Sequence, residues 1–408
     1  MEIFNTIQLY LFRRLIINVF VMGLFDNTET AFKLKSDSEL ERASFLFKMI
    51  QNQPMVRIGT AVTNFALKAH LPVEGLIRAT VFDHFCGGVT EDDCLPNITK
   101  MYEKGNVHSI LDYSVEGKED EEQFENALRM TLKTIDFAAE KKSIPFAVFK
   151  PTGFGRFALY QKLTEGRELN QLEKVEWERV IERFHTVCKS ASEKNVPLLI
   201  DAEESWMQKA ADDLVESLME IYNKEKALVF NTLQMYRHDR MAYLKSLHQR
   251  AHQKGYHIGM KVVRGAYMEK ERARAEEMGY ESPICVDKNA TDINYNNAIT
   301  YMMDHKNMAI FAGTHNEESS YLLMDLAKKH NIASTDKRMW FGQLYGMSDH
   351  ISFNLANEEY NVAKYVPFGP VRDVMPYLIR RAEENTSVAG QTSRELNLLK
   401  TEKKRRKL

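Results

Sequence analysis

Two segments in the second half of the chain combine residue types that could do chemistry. In KVVRGAYMEKERARA, residues 261–275, a strand-like apolar run ends at Arg264 and Gly265 and passes directly into charged helix formers. Ligand sites of α/β folds form at such strand-to-helix turns, because glycine lets the backbone come close to what is bound. We therefore interpret this segment as part of a binding site, and the charged run after it as the solvated face of a helix.

The segment YLIRRAEEN has the most specific local geometry. On a helix, Tyr377 lies one turn before Arg380 and Arg381, and Glu384 lies one turn after them. An Arg-Arg pair on a helix is usually solvated. Here the neighbouring residues are apolar, and Pro376 should kink or restart the helix. Both features indicate that the helix is placed against the rest of the protein. Two arginines presented to a cavity bind a carboxylate or phosphate with fixed geometry, so we expect an anionic substrate or cofactor.

Short apolar runs alternate with longer amphipathic stretches from residue 106 onward, and these elements must position the two segments. There are eight such runs: HSILDYSVEG, PFAVFKP, PLLIDAEE, LVFNTLQMY, HIGMKVVRGAY, MAIFAGTHN, MWFGQLYG and AKYVPFG. The intervals between them are long enough for right-handed helical crossovers. The pattern predicts the α/β fold class, with a (βα)₈ TIM-like barrel over residues 106–390.

Polar residues stand at the C-terminal ends of seven of these runs, where such barrels gather their chemistry. They are Asp112, Glu116, Lys150, Asp201, Gln234, Lys261, Arg264, Thr314, His315, Asn316 and Tyr365. Each one alone is explained at least as well by a satisfied polar residue or a helix cap. Their recurrence from strand to strand favours a functional site.

The regions that flank the barrel have other patterns. Residues 27–105 show helical periodicity and are interpreted as a helical arm. Residues 1–26 contain the run LIINVFVMGLF, which is too short to span a bilayer; it is either an amphipathic or targeting segment or precedes a true start at Met22. Residues 391–408, with the block KTEKKRRKL, are interpreted as a solvated basic tail.

Composition excludes several classes of function. The 408 residues are 44% hydrophobic, enough for one large globular domain with smaller attachments. The net charge of −2 creates no positive field for nucleic acid. The four cysteines lie far apart without a CxxC pair, which argues against a zinc site, a cluster or a disulfide framework, so no metal is expected and a reducing compartment is the default.

Four motifs together resemble the signature segments of the proline dehydrogenase family of flavoenzymes. They are KVVRGAYMEKERARA, ATDINYNNAI, QLYGMSDH and PYLIRRAEEN, in the family's order and spacing, and the resemblance runs from about residue 27 to about residue 390. It implies a distorted (βα)₈ barrel with FAD at the strand ends and a final helix over the barrel mouth. It also implies the single-function form, without a fused aldehyde dehydrogenase or DNA-binding part.

The resemblance also implies roles for individual residues. The residues implied to hold FAD are Gln234, Lys261, Val263, Arg264, Gly265 and Ala266, with Lys288, Thr314, His315 and Asn316 at its phosphates, ribose or adenine. The residues implied to bind the proline carboxylate are Lys150, Arg380 and Arg381, with Asp201 near Lys150. Those implied to enclose the ring are Ala266, Leu344, Tyr365 and Tyr377, and Glu116 is the expected ionic partner of Arg380.

The activity implied is hydride transfer from L-proline to FAD, which yields Δ1-pyrroline-5-carboxylate, followed by reoxidation of the flavin by a membrane quinone. A protein of this kind would contact the membrane peripherally, at the cytoplasmic face of the inner membrane in a bacterium or in the mitochondrion of a eukaryote. Two alternatives stay open from the residues alone. Lys150 could form a Schiff base in a barrel lyase, or the arginine helix could serve a binding protein without turnover.

Overall fold

Eight parallel strands form one sheet in the computed structural model, which describes residues 23–68, 74–114, 119–387 and 391–408. The strands are β1 His108–Tyr113, β2 Ala147–Phe149, β3 Leu198–Ile200, β4 Val229–Gln234, β5 Ile258–Val263, β6 Met308–Gly313, β7 Met339–Leu344 and β8 Val362–Phe368. Their order is β1-β8-β7-β6-β5-β4-β3-β2, and the two edge strands β1 and β2 contact each other. The predicted strands and the nearly closed (βα)₈ barrel are confirmed.

Helices before the barrel form the arm that the periodicity of residues 27–105 predicts. They are α1 Thr28–Phe32, α2 Asp37–Ile50, α3 Gln53–Lys68, α4 Glu74–Ile77, α5 Asp83–Phe85 and α6 Glu91–Gly105, with a π-helical turn at Arg78–Phe82. Local signals set their ends: the side chain of Ser36 accepts from the Glu39 N–H at the start of α2, and the Thr90 side chain caps α6 in the same way.

The helices that connect the strands cover the outside of the barrel. They are α7 Glu121–Glu140, α8 Phe157–Thr164, α9 Gln171–Glu193, α10 Ser205–Tyr222, α11 Arg240–Lys254, α12 Met268–Met278, α13 Lys288–Met303, α14 Glu317–Lys329 and α15 Asp349–Asn357. Because helices cover the outer face, strand residues such as Val229 and Val262 are buried although they point away from the barrel axis.

Aromatic rings fill the barrel interior toward the N-terminal ends of the strands. Phe146 makes edge-to-face contacts with Phe230, Phe311 and Trp340 at centroid distances of 5.8, 5.4 and 5.2 Å. Gly342 leaves space for this layer, since a Cβ there would lie 2.2 Å from the ring of Phe311. Any cavity inside the barrel must therefore open at the C-terminal ends of the strands.

Two helices follow the last strand, α16 Val371–Ser387 and α17 Gln391–Arg406. Helix α16 packs Val374 and Leu378 against Phe82 and Phe85 of the arm, so the arm holds it in position. It runs through Pro376 as one helix, so of the two outcomes predicted at this proline, a kink or a restart, the restart is wrong.

The interpretation of residues 391–408 as a solvated tail is also wrong. Helix α17 buries Leu396, Leu398 and Leu399 against Phe32 and Phe47 of the arm. Its basic end is held by carboxylates: Arg405 and Arg406 both donate to the fully buried Glu402, and Arg406 also contacts Asp37. Arg405 and Arg406 are therefore ion-paired both within the helix and to the arm, which the charge run alone did not indicate.

The predictions for residues 1–22 and for Glu116 lie outside the described residues. Among the residues that the structure does describe, no helix is both long and apolar enough to cross a bilayer.

Candidate active site

A cavity of about 600 Å³ opens at the C-terminal ends of the strands. Most of the residues that the resemblance implies for the site line this cavity. They are Lys150, Asp201, Gln234, Lys261, Val263, Arg264, Gly265, Ala266, Lys288, Thr314, His315, Asn316, Leu344, Tyr365, Tyr377, Arg380 and Arg381. Apart from Glu116, this is the whole set implied by the resemblance. The structure brings these residues together from seven strands and their loops and from helix α16; their individual roles remain predictions.

Lys261 on β5 is the centre of the cavity floor. Its ammonium pairs with Asp201, which follows β3, and donates to the Tyr365 hydroxyl on β8 at 3.1 Å. The ammonium also lies 4.6 Å from the centroid of the Tyr365 ring, close enough for a cation–π contact. One side chain thus joins three strands that are distant along the chain and fixes the positions of a carboxylate and a phenol.

Asp112, at the end of β1, adds a second carboxylate to this floor. Its Oδ2 accepts from the Ser114 hydroxyl at 2.9 Å. Burial raises the pKa of Asp112; the charge of Lys150 opposes the rise and that of Asp201 adds to it. Burial also raises the pKa of Tyr365 well above its ordinary value, with Asp201 acting in the same direction. The phenol is therefore neutral at physiological pH and can serve as a hydrogen-bond donor or acceptor.

Arg264 anchors the opposite side of the cavity. Its Nε, Nη1 and Nη2 donate to Asp292 at 2.6 Å, Thr314 at 2.8 Å and Ser319 at 3.0 Å, and the guanidinium lies 4.5 Å from the Tyr295 ring. All three nitrogens thus bond protein groups, which orients the guanidinium beside β6 and α14. Lys288 donates to the same Asp292 at 2.5 Å, so two cations meet at this end of the cavity.

The turn after β5 needs glycine for a reason that the sequence did not indicate. Gly265 has φ +137°, and a Cβ there would lie 2.5 Å from the ring of Tyr236. The close neighbour that demands glycine is therefore a tyrosine of the protein itself. The charged run that follows is not wholly solvated, since Glu271 on α12 is buried and accepts from the backbone N–H and the hydroxyl of Ser205, both at 2.6 Å.

His315 follows β6 and is held on both sides of its ring. Its Nδ1 lies 2.9 Å from the Ser348 hydroxyl, and its Nε2 accepts from the Leu344 N–H at 3.5 Å. Burial, with Lys364 and Arg381 nearby, lowers the pKa of His315 to about 3. The imidazole is therefore neutral at physiological pH and adds no charge to the cavity.

Helix α16 carries its two arginines over the mouth of the barrel. The guanidinium of Arg381 lies 5.4 Å from the Tyr377 ring, in agreement with the helical spacing, and that of Arg380 lies 6.0 Å from the Tyr267 ring. These side chains are half-buried and face the cavity, where a carboxylate-bearing ligand could reach them.

Several lining residues were not predicted as site residues: Ala202, Thr232, Tyr267, Phe311, Gly313, Glu317, Glu318, Gly342, Gln343, His350 and Arg394. Tyr267 could have been found, because it directly follows Ala266 in the RGAY turn. Arg394 could not, because its segment was interpreted as a tail. His350 and Glu317 meet only in the folded chain, where the His350 Nε2 lies 3.1 Å from a Glu317 oxygen.

Comparisons with known proteins agree with the motifs. Residues 94–394 match the model of the proline dehydrogenase family. The carbapenem antibiotics biosynthesis protein CarD of Pectobacterium carotovorum subsp. carotovorum is 35% identical, over 86% of this chain and 91% of that protein. The mitochondrial proline dehydrogenase 1 of Arabidopsis thaliana is 31% identical, over 94% of this chain and 85% of that protein.

Solved structures support the fold. The proline utilization A of Bdellovibrio bacteriovorus, inactivated by N-propargylglycine, superposes with a TM-score of 0.68 at 21% identity. The match covers 88% of this chain and 38% of the solved one, so this chain spans about two fifths of that larger protein.

Proposed function

The chain belongs to the proline dehydrogenase family and is an enzyme of that class, and from this premise we propose that it oxidises L-proline to Δ1-pyrroline-5-carboxylate with FAD as hydride acceptor and a quinone as final electron acceptor. One observation carries the proposal. The residues that the resemblance implies for substrate and cofactor, drawn from segments far apart in the chain, line one cavity.

The side of the cavity around Arg264 suits FAD. Arg264 and Lys288 supply positive charge, and Thr314 and Asn316 supply polar groups at the amino end of α14, where a helix favours anions. Such a donor set matches a diphosphate. When bound, FAD supplies the ring that accepts the hydride, so the protein has to bind and orient the reactants.

The opposite side suits a small amino acid with a carboxylate. Arg380, Arg381 and Lys150 supply cationic donors for the carboxylate. Leu344, Tyr365 and the ring of Tyr377 supply apolar surface for a saturated five-membered ring. Lys261 holds the Tyr365 phenol in place, and the pairing of Lys261 with Asp201 keeps that carboxylate from competing with the substrate for the arginines. The chain thus orients the ring and excludes water.

Quinones are lipid-soluble, so an enzyme that reduces a quinone has to contact the membrane that holds it. We propose peripheral contact only, with the flavin site reached from the surface of the bilayer. Turnover with a quinone analogue under argon, compared with turnover in air, measures whether a quinone or oxygen reoxidises the flavin.

The decisive experiment is a visible spectrum of the purified protein, followed by anaerobic addition of L-proline. We expect flavin absorption bands that bleach on addition of L-proline and persist with buffer alone. A colourless protein that still oxidises proline would overturn the cofactor assignment. A yellow protein that L-proline does not bleach would overturn the substrate assignment.

A further inference from the structure

The C-terminal helix α17 reaches the cavity through Arg394, and the next residue, Glu395, contacts the loop before α15. Arg394 lines the cavity and donates to Glu317 at 2.8 Å and to Asp26 at 2.6 Å. Burial opposes ionisation of Glu317, but hydrogen bonds from His350 and Arg394 outweigh it and lower the pKa of Glu317 to about 2. The helix is thereby joined to the first turn of α14, which begins beside His315.

Glu395 contacts the loop before α15 from the other side. Its carboxylate is almost completely buried, and both oxygens accept from the Ser348 N–H, at 2.9 and 3.1 Å. Ser348 is itself fully buried and has φ +50°, a left-handed conformation that is unfavourable for residues other than glycine. Burial raises the pKa of Glu395, but its carboxyl oxygens accept from the Ser348 N–H in either protonation state. This acceptor at the amino end of α15 offsets the backbone cost and holds Ser348 in one conformation.

Ser348 in turn holds His315. Because the Leu344 N–H donates to Nε2, that nitrogen is the acceptor, so Nδ1 carries the proton and donates to the Ser348 hydroxyl at 2.9 Å. A rotation of Ser348 would remove the acceptor that fixes both the plane and the tautomer of the ring. The contacts form an unbroken path from Glu395 through Ser348 to His315 on the cavity wall.

We propose that Glu395 is a positioning residue of the active site: through Ser348 it fixes the orientation and tautomer of His315, which makes the C-terminal helix part of the cofactor site. This inference rests on the proposed function in one respect, namely that His315 faces FAD. It assigns a working role to a segment whose sequence indicates only a basic tail.

The first test measures FAD affinity without turnover, by titrating apoprotein with FAD and following the quenching of flavin fluorescence. Glu395→Ala should weaken FAD binding about tenfold, because the loss of the carboxyl acceptor at its N–H releases Ser348. Glu395→Gln should recover part of the affinity, since its amide oxygen still accepts from the Ser348 N–H. In a His315→Ala background, Glu395→Ala should change affinity less than twofold, because the two residues act in one path.

Glu402→Ala is the matched control. Glu402 lies two turns further along the same helix and is equally buried, but it bonds Arg405 and Arg406 at the far end of α17 from the cavity. This variant should lower the unfolding temperature while FAD affinity, measured well below that temperature, stays unchanged. An equal loss of affinity in Glu402→Ala and Glu395→Ala would overturn the proposal, because it would show that Glu395 acts only through stability.

The second test does not require FAD. In the ¹⁵N spectrum of imidazole-labelled apoprotein, His315 should carry its proton on Nδ1, and Glu395→Ala should convert it to a mixture of tautomers. An unchanged tautomer in Glu395→Ala would sink the proposal even if FAD affinity falls. A wild-type protein that binds no FAD would instead contradict the proposed function, and the tautomer measurement would still decide the role of Glu395.

Discussion

Lys261 on β5 and Lys364 on β8 are both buried lysines that pair with an aspartate, but only Lys261 lines the cavity. Lys364 is 1% exposed and donates to Asp349 at 2.7 Å, to the Met347 carbonyl at 2.7 Å and to the Leu344 carbonyl at 3.4 Å. An ammonium has three donors, so the donors of Lys364 are all used inside the protein.

Lys261 has a different set of partners. Of the described residues, Asp201 and Tyr365 accept from it, which leaves one of its three donors for a bound molecule. Burial and ion pairing are common to both lysines and therefore do not identify the functional one. Saturation of the donors and access to the cavity do, and this difference can be tested with matched variants.

The largest expected effect is on stability, in Lys364→Met. Although burial opposes ionisation, Lys35 and Lys364 lower the pKa of Asp349, so its carboxylate is charged in the folded protein. Removal of one partner of a buried pair costs about 3 kcal/mol of unfolding free energy, even with Lys35 still 2.9 Å from the other oxygen. Urea unfolding measures this loss, and proline KM per folded molecule should stay unchanged. If this variant is as stable as the wild type, the pairing of Lys364 with Asp349 does not stabilise the fold.

Lys261→Met should have the opposite profile. We expect catalytic efficiency with proline to fall about 100-fold, because Asp201 and Tyr365 lose the group that holds them and small displacements near reacting atoms are costly. Unfolding free energy should change by only about 1 kcal/mol, since water in the cavity can solvate Asp201. The two methionine variants control for each other, and identical profiles would break the distinction between the two lysines.

Arg381→Met probes the cationic donors that helix α16 carries over the mouth of the barrel. A charge-assisted bond to the substrate carboxylate forms in both the ground state and the transition state, so its loss, about 2 kcal/mol, should raise KM about 30-fold with kcat nearly unchanged. Flavin content should persist. Arg372→Met is the control, because Arg372 lies on the same helix but pairs with Glu74 at the surface. An unchanged KM would make Arg381 a structural residue.

Tyr365→Ser tests whether the side chain that Lys261 positions also selects the substrate. Removal of the ring should lower efficiency with proline about tenfold and narrow the gap to 4-hydroxyproline, because a contact and a clash disappear together. Tyr365→Phe keeps the ring and should preserve the ratio of the catalytic efficiencies with proline and 4-hydroxyproline. If the serine variant loses stability and flavin but keeps the ratio, Tyr365 only seals the barrel.

The effect expected to be smallest near neutral pH comes from His84, whose pKa is influenced by the charges of Lys35 and Asp349. Burial, with the positive charge of Lys35 adding to it, lowers the pKa of His84 to about 3. The unfolded chain, with an ordinary pKa of about 6.5, therefore binds more protons than the folded one below that pH, and stability falls as pH drops from about 6.5 toward 3. His84→Asn should reduce this slope by up to about one proton in urea unfolding at several pH values. An unchanged slope would show that His84 does not contribute.

The sequence by itself determined the eight strands, the polar residues at their ends and the arginine helix. Those signals are local: an apolar run bounded by turns, a polar residue at its end, and a spacing of three and four residues depend on neighbours in the chain. For the same reason the alternation within VAKYVPF already separates Lys364 from Tyr365, because successive residues of a strand face opposite sides. Helix α17 shows where such signals fail, since its terminal run of lysines and arginines obscured three leucines within one helical turn.

Only the tertiary structure decided which charges meet. Glu395 and Ser348, Arg394 and Asp26, and Lys35 and Asp349 are separated by 47, 368 and 314 residues, and no local pattern links them. The demand for glycine at position 265 is likewise set by Tyr236, a residue of the preceding strand-end loop that only folding brings against it. The sequence gives the type of each side chain. Whether its hydrogen-bond donors bind groups inside the protein or face a cavity depends on neighbours that only the fold brings close.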